Sequence, residues 1–500
     1  MTETLASIEI PSDWAADLAA LVAYVREVER QGGDDRDLRA EERSIRARLD
    51  GIGRMAMARL MKCADTTASE VECDGVVWGN RRVTSADSFT TFGPVTVPRS
   101  TYQRGGRGRV LVPMEARLGL FEGRYTPALA RAMSMAVAMA PAEEATTLFA
   151  ELGVAGVSVS TLHRVPQAIA ARYECRKPDV DAQIRERSPI PHDAVAVQVA
   201  LDGVMVPQDG QQAKARGRAP KDGEPDPPRH ELGYTLPERP IPAANDGESG
   251  RAWHEASVGT LHFVDELGKP RGTTYLGRMP EPKKATLIDD LFAELSSVIA
   301  ERPDVDIVFA SDGAPLHWRA LEKFAEAIAP KHEGRRFFVL DFFHAAEYLT
   351  TAANVIWGDK PEAHAQAAKW REILRRVDGG HDKVLDSLRY FRDQLASRSR
   401  REKLEDVIAY LADHANAGRM EYAKLDGMFL PIGSGVVEAA AKTLVSVRMK
   451  RAGARYTQHG GQTILTFRAA LASDRFDDLM AILHATYVHE VREVRPLCAA

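Results

Sequence analysis

Cysteine is scarce in this chain. Four occur in 500 residues, at Cys63, Cys73, Cys175 and Cys498, and no two form a CxxC pair. That excludes a disulfide framework, fits a reducing compartment and argues against a structural zinc. Long apolar runs are absent too: none approaches the eighteen residues of a membrane span or resembles the core of a signal peptide, so a soluble cytoplasmic protein with no membrane partner is expected. There is no basic excess, the net charge being −5, and so no overall sign of a nucleic-acid binder. Net charge averages over domains, however. From Ala439 to Ser473 no acid occurs, while Lys442, Arg448, Lys450, Arg451, Arg455 and Arg468 supply six positive charges.

At 54.9 kDa the chain exceeds one ordinary core, and three or four packed units are expected. Residues 1–70 read as a helical N-terminal region, with Leu18, Leu21, Val22 and Val25 at helical spacing and a turn at Gly32-Gly33. Residues 71–125 read as a small basic β module of short strands, with Arg99, Arg104, Arg107 and Arg109 among glycines. Residues 126–190 outline a helix-turn-helix: a helix from Pro141 to Leu152, a turn from Gly153 to Gly156, then a short helix opened by Ser158 or Ser160 and running through Arg164. Two helices around a glycine turn are common in all-α proteins. If this pair reads DNA, Ser160, His163 and Arg164 are its contact residues.

The middle of the chain is more informative. Val195, Val197, Val199 and Leu201 alternate with Gln198 and Asp202, as in a half-buried strand that delivers Asp202 at its end. A Pro-, Gly- and charge-rich stretch, 207–249, reads as a mobile loop or insertion. Strand texture returns at 256–264 and 273–276, a helix follows over 282–300, and a buried strand, 305–310, ends in Ser311-Asp312-Gly313. A helix over 316–328 and a strand over 337–340, ending in Asp341, complete the order. Three strands, helix, strand, helix, strand, helix is the order of a ribonuclease-H-like α/β core. Residues 191–350 form its first part, 351–430 a helical insertion, 431–475 its final catalytic helix and 476–500 a C-terminal tail. Sheets of this kind keep their chemistry at the carboxyl ends of neighbouring strands, where Asp202 and Asp312 fall.

Cleaving and rejoining a phosphodiester requires an activated nucleophilic oxygen and a stabilised leaving oxygen, which two hard cations about 4 Å apart provide. Mg²⁺ or Mn²⁺ in that role takes a few carboxylates from separate elements. Asp202, Asp312 and Glu438 meet that description as joint catalytic and metal-binding acids. Glu438 falls in the first turn of a helix opened by Gly433-Ser-Gly435, with Lys442 four residues on. Together with Arg448, Lys450, Arg451 and Arg455, Lys442 forms a basic stripe suited to DNA phosphates. Taken singly, each feature has a plainer reading: an Asp-Gly turn, a helix-dipole glutamate, a solvated basic face.

The strings Leu201-Asp-Gly-Val204, Ala310-Ser-Asp-Gly313, Leu340-Asp-Phe-Phe-His-Ala-Ala-Glu-Tyr-Leu349 and Gly433-Ser-Gly-Val-Val-Glu438, followed by Lys450-Arg-Ala-Gly453, resemble the ISKra-type insertion-sequence transposases of the Mutator-like DDE group. The likeness spans roughly residues 125–475. It implies that Asp202, Asp312 and Glu438 are the catalytic acids and that Asp341-x-x-His344 is the group's signature after the second acid. His344 then either contacts the scissile phosphate or leaving strand, or is a helix-start histidine bonded to Asp341. Asp341 is an alternative second acid, but Asp312 fits the strand order better. Relatives often carry paired cysteines before the helix-turn-helix, where only Cys73 stands here, so a metal-free β module is expected.

The implied activity is metal-dependent strand cleavage and strand transfer on double-stranded DNA, acting on element terminal inverted repeats and target DNA. The partners would be nucleoid DNA and at least one further copy of the chain. Two alternatives are a domesticated, catalytically silent DNA-binding protein and a plain metal-dependent nuclease.

Overall fold

The computed structural model describes residues 12–31, 37–105, 108–209 and 251–494. The Gly32-Gly33 turn, Arg107, Cys498 and nearly all of the expected loop at 207–249 lie outside the described residues. The chain divides into two units, which for the described residues are 12–180 with 477–494, and 181–209 with 251–476.

The first unit opens with α1 (Ser12–Gln31) and α2 (Leu38–Cys63), the latter capped by the Asp37 side chain, which accepts from the Arg39 amide. Strands β1 (Val71–Cys73), β2 (Val76–Thr90), β3 (Gly93–Gln103) and β4 (Val110–Leu111) follow as an antiparallel meander. Of the arginines singled out in this stretch, Arg104 and Arg109 are exposed and Arg99 is not. Arg99 is buried in an ion pair with Glu115, because an unpaired guanidinium in that core would be costly. Helices α3 (Pro113–Leu118), α4 (Pro127–Met139), α5 (Ala142–Glu151) and α6 (Val159–Cys175) come next. Ser158 caps α6 by accepting from the Thr161 amide. The helix does not stop at Arg164 as expected; it runs through Pro166 for 17 residues, since Leu162, Val165, Pro166 and Ile169 bury one continuous stripe that outweighs the lost backbone bond. Helix α7 (Lys177–Arg187) leads to the second unit.

That unit is built on a mixed sheet. Strands β5 (Ala196–Asp209), β6 (Arg251–Val264) and β7 (Pro270–Arg278) are antiparallel to one another; β8 (Asp306–Ser311) and β9 (Arg336–Leu340) join parallel to β5, giving the order β7-β6-β5-β8-β9. Helix α8 (Ala285–Glu301) connects β7 to β8, and α9 (Pro315–Ile328) connects β8 to β9. The period-2 pattern of β5 sorts its two faces. Val197, Val199 and Leu201 pack with Leu287, Leu291, Leu295 and Trp318 of α8 and α9. Ala196 and Ala200 turn to the opposite face, among residues of the later helices.

After β9 come α10 (Phe342–Trp357), α11 (Pro361–Arg376), α12 (Gly380–Gln394), α13 (Arg398–Asn416) and α14 (Tyr422–Gly427). They surround the fully buried Trp370, whose removal to Ala would cost about 3–5 kcal/mol. Then α15 (Gly435–Ala440), a π-helical turn (Ala441–Ser446) and α16 (Val447–Met449) run on as one helix, followed by α17 (Gln458–Ala472) and α18 (Phe476–Ala485). Residues 476–500 are not merely a tail: β10 (Val491–Glu493) pairs antiparallel with β1, making the first sheet β10-β1-β2-β3-β4. No described helix is long and apolar enough to cross a membrane.

Candidate active site

Register alone brings three aspartates together. Ala200 pairs with Ala310 across β5 and β8, and Ala310 with Val339 across β8 and β9. Two residues further along each strand stand Asp202, Asp312 and Asp341. With a period of two they share the face of that row, on neighbours about 4.8 Å apart. Asp202 does not end its strand as expected. Strand β5 continues to Asp209 because β6 keeps pairing with it, whereas the parallel pairing with β8 stops at Ala200. Asp202 therefore sits where the sheet splits, which is the physical equivalent of a strand end.

The three acids differ sharply in what surrounds them. Asp202 is half-buried and its Oδ1 accepts from the Gly203 amide at 2.7 Å. Burial and then the charge of Asp312 raise its carboxyl above the ordinary range, against the Gly203 bond and the nearby His317 and Lys284. Burial alone would raise Asp312 too. The His317 contact, the Ala314 amide and the Ser311 hydroxyl outweigh it, holding Asp312 well below the usual carboxylate range. Gly313, at φ 102°, makes the turn, and a Cβ there would strike the Tyr410 hydroxyl, which donates to the Asp312 carbonyl at 3.1 Å. Asp341 is completely buried: it accepts from the His344 amide at 2.9 Å, and from the amide and hydroxyl of Ser434.

Glu438 lies in the first turn of α15, as the sequence indicated, with its amide donating to the Ser434 carbonyl. The Ser434 hydroxyl lies 3.2 Å from Glu438 Oε1. Burial, then the charges of Asp341 and Asp202, push the Glu438 carboxyl up. Glu438 thus senses the acids of the sheet edge. Asp341 sets the start of its helix through Ser434.

Behind Asp312 stands a chain of polar groups that sequence reading missed. His317 Nδ1 lies 3.4 Å from Asp312 Oδ1, Lys284 Nζ donates to His317 Nε2 at 2.9 Å, and Lys284 also pairs with Glu255 at 3.3 Å. An ammonium can only donate, so Nε2 accepts and the proton of a neutral imidazole stands on Nδ1, facing Asp312. Lys283 and Lys284 both have left-handed backbones, φ 56° and 53°, a conformation that costs lysine roughly 1 kcal/mol or more each. That conformation delivers the buried Lys284 ammonium. Gly203 leaves room for the Glu255 carboxylate, which a Cβ would displace. A Lys-Lys pair ahead of a helix reads as solvated surface, and His317 reads as a helix-start residue, so neither carried a signal in sequence.

His344 is half-buried; its amide caps onto Asp341 and its ring lies 5.3 Å from Tyr348 and 6.3 Å from Tyr410. Tyr348 and Tyr410 stack at 4.0 Å. The adjacent His414 is pushed down to about 4 by burial and by Arg419, and is neutral at pH 7.

The basic residues fall into two groups. Lys442, Lys450, Arg451 and Arg455 are exposed. Arg448 is not part of that face: it is 6% exposed and donates to the Tyr456 hydroxyl at 3.0 Å. After the π-helical turn Arg448 faces inward and Val447 outward. Arg468 likewise donates to the carbonyls of Leu444 and Thr443. In the other unit Ser160, His163 and Arg164 all lie on the exposed face of α6, with Arg164 also donating to the Tyr125 hydroxyl at 2.6 Å.

No family model matches the chain, and no curated protein matches it. Among solved structures it is similar to a chain of the Mos1 transposase paired-end complex with left transposon end, at 14% identity over 59% of this chain and 80% of that one, with a TM-score of 0.15. At that score the similarity supports no structural inference.

Proposed function

We propose that the chain is a DNA transposase of the ISKra type, in which Asp202, Asp312 and Glu438 direct metal-dependent phosphoryl transfer. The observation that carries this reading is the row of register-aligned acids at the carboxyl edge of β5 and β8, with Glu438 of α15 electrostatically coupled to Asp202. A sheet ordered β7-β6-β5-β8-β9, three strands antiparallel and two parallel, supports the ribonuclease-H-like reading of the core.

The donor set fits Mg²⁺ or Mn²⁺: oxygen ligands only, from two strand ends and a helix, with like charges crowded together. Among the described residues these three acids do not form a group whose ligand atoms all lie within 4.8 Å of one another. A single Mg²⁺ holds ligand oxygens no more than roughly 4.2 Å apart, so the three acids as they stand would not all close around one ion, and the proposed reaction calls for a pair of ions. When bound, such a pair activates the attacking oxygen and stabilises the leaving one. Asp202 and Asp312 would hold it from the sheet, Glu438 from the helix. His317, fixed by Lys284, keeps Asp312 ionised and aimed. Asp341 positions Glu438 through Ser434. Lys442, Lys450, Arg451 and Arg455 supply a face for phosphates, and Ser160, His163 and Arg164 a surface for the element's terminal repeats. Joining two ends requires a second copy of the chain.

Strand transfer by the full chain, on DNA bearing element ends with Mg²⁺ or Mn²⁺, tests this. Cleavage and joining are expected, and both are lost in Asp202→Asn and Glu438→Gln. Undiminished transfer by either variant overturns the assignment. Cleavage of unrelated DNA without joining marks a nuclease, and specific DNA binding indifferent to metal, without cleavage, marks a silent binding protein.

A further inference from the structure

A second cluster of ligand-type side chains lies in the other unit, far from any acid row in sequence. Cys73 is the last residue of β1, Asp74 opens the turn into β2 with a left-handed backbone at φ 52°, and His489 stands two residues ahead of β10. Because Cys73 pairs with Val491, strand register carries His489 to the end of β1. One ligand atom from each residue, a sulfur, a carboxylate oxygen and an imidazole nitrogen, lies within 4.8 Å of the other two, and Asp74 Oδ2 is 3.1 Å from His489 Nδ1.

We infer that Cys73, Asp74 and His489 form a site for a zinc-type divalent ion, with a solvent molecule as fourth ligand. Around tetrahedral Zn²⁺, neighbouring ligand atoms stand about 3.5 Å apart, so the cluster needs only a small contraction to close. Mixed sulfur, nitrogen and oxygen donors suit zinc and its transition-metal neighbours and not Mg²⁺ or Ca²⁺, the reverse of the all-oxygen set at the sheet edge. Cys73 and His489 are 6% and 9% exposed, whereas the Asp74 side chain is 55% exposed and opens a path for the ion. A bound ion would clip the start of the first sheet to the segment that leads into its last strand. Sequence spacing could not reveal this, because the ligands come from opposite ends of the chain.

The test uses the full chain, freed of metal with a chelator and titrated with Co²⁺ as a spectroscopic stand-in for Zn²⁺. One equivalent is expected to give thiolate-to-cobalt charge-transfer absorption, displaced by Zn²⁺ and retained in Asp312→Asn. Cys73→Ser should abolish the band, His489→Gln should weaken binding at least tenfold, and Zn²⁺ should raise the unfolding temperature of the parent but not of these variants. Absence of the band in the folded parent, or its survival in Cys73→Ser, overturns the site. Should Cys73→Ser fail to fold, the exposed Asp74→Asn decides: tenfold weaker Co²⁺ binding supports the site, and unchanged binding overturns it. No DNA or strand-transfer assay enters this test, so its outcome is independent of the proposed transposase activity.

Discussion

Asp202 and Asp341 occupy corresponding positions two strands apart, on one face of one sheet, yet their surroundings are opposite. Asp341 has its carboxylate oxygens committed to Ser434 and the His344 amide, and it holds the chain together. Asp202 has one short bond, to its own neighbour, and a carboxyl destabilised by burial and by Asp312. The difference separates an acid whose lone pairs serve the fold from one whose lone pairs are left for something else. A carboxylate raised by burial and by a like charge is what the proposed cation site would need at this position.

The sharpest way to break that contrast is to neutralise both ends of it. Asp202→Asn should lower strand cleavage more than a hundredfold, beyond the ten- to hundredfold typical of losses behind a ligand, while folding as well as the parent. Its folded-state carboxyl is raised, so ionisation weakens the fold as pH climbs through and above the ordinary value of 3.8; Asn should therefore raise the unfolding midpoint at pH 7, and the gain should vanish below that range. A midpoint lowered at pH 7 would contradict the electrostatic picture. Asp341→Ala should do the reverse, costing about 3 kcal/mol in denaturant unfolding by stranding the donors of Ser434 and His344.

Lys284→Met or His317→Ala probes the middle of the row. Each should reduce cleavage roughly tenfold, by releasing Asp312. The His317 contact holds Asp312 low, so its removal should move the acid limb of the pH profile to higher pH. An unmoved limb would mean that His317 only fills space. In the basic segment, changing Lys450, Arg451 and Arg455 together to Gln should flatten the salt dependence of DNA binding, by roughly 0.9 in log–log slope for each phosphate no longer neutralised, whereas Arg448→Gln should lower stability and leave the slope alone. Smallest is Tyr410→Phe, which removes the hydroxyl bond to the Asp312 carbonyl for about 1 kcal/mol.

The elements of the mixed sheet were legible because their signals are local. Alternation over Val195–Leu201 gave a strand, the buried run before Asp312 another, and Gly433-Ser-Gly435 a helix start, each within a residue or two of where its element begins. The extension of β5 past Asp202 was not legible, since it depends on a partner strand beyond an unperiodic stretch. Nor was the burial of Arg448, which is held by Tyr456 from the segment beyond its helix. Lys284 and His317 were invisible for a related reason: each matters only through a neighbour from another element. What sequence pattern conveys is which face a side chain occupies. Which side chains complete one another's hydrogen bonds it does not.

The pairing of β10 with β1 has a consequence for how the protein is made. The edge of the first sheet emerges early in synthesis, but the strand that covers it is translated roughly 400 residues later, about 20–80 s at ordinary elongation rates. Through that interval the three-residue β1 has one edge uncovered, short enough to offer little to another chain. Premature termination near the end of the message should therefore harm the first part of the molecule to fold, by leaving that edge without its outer strand.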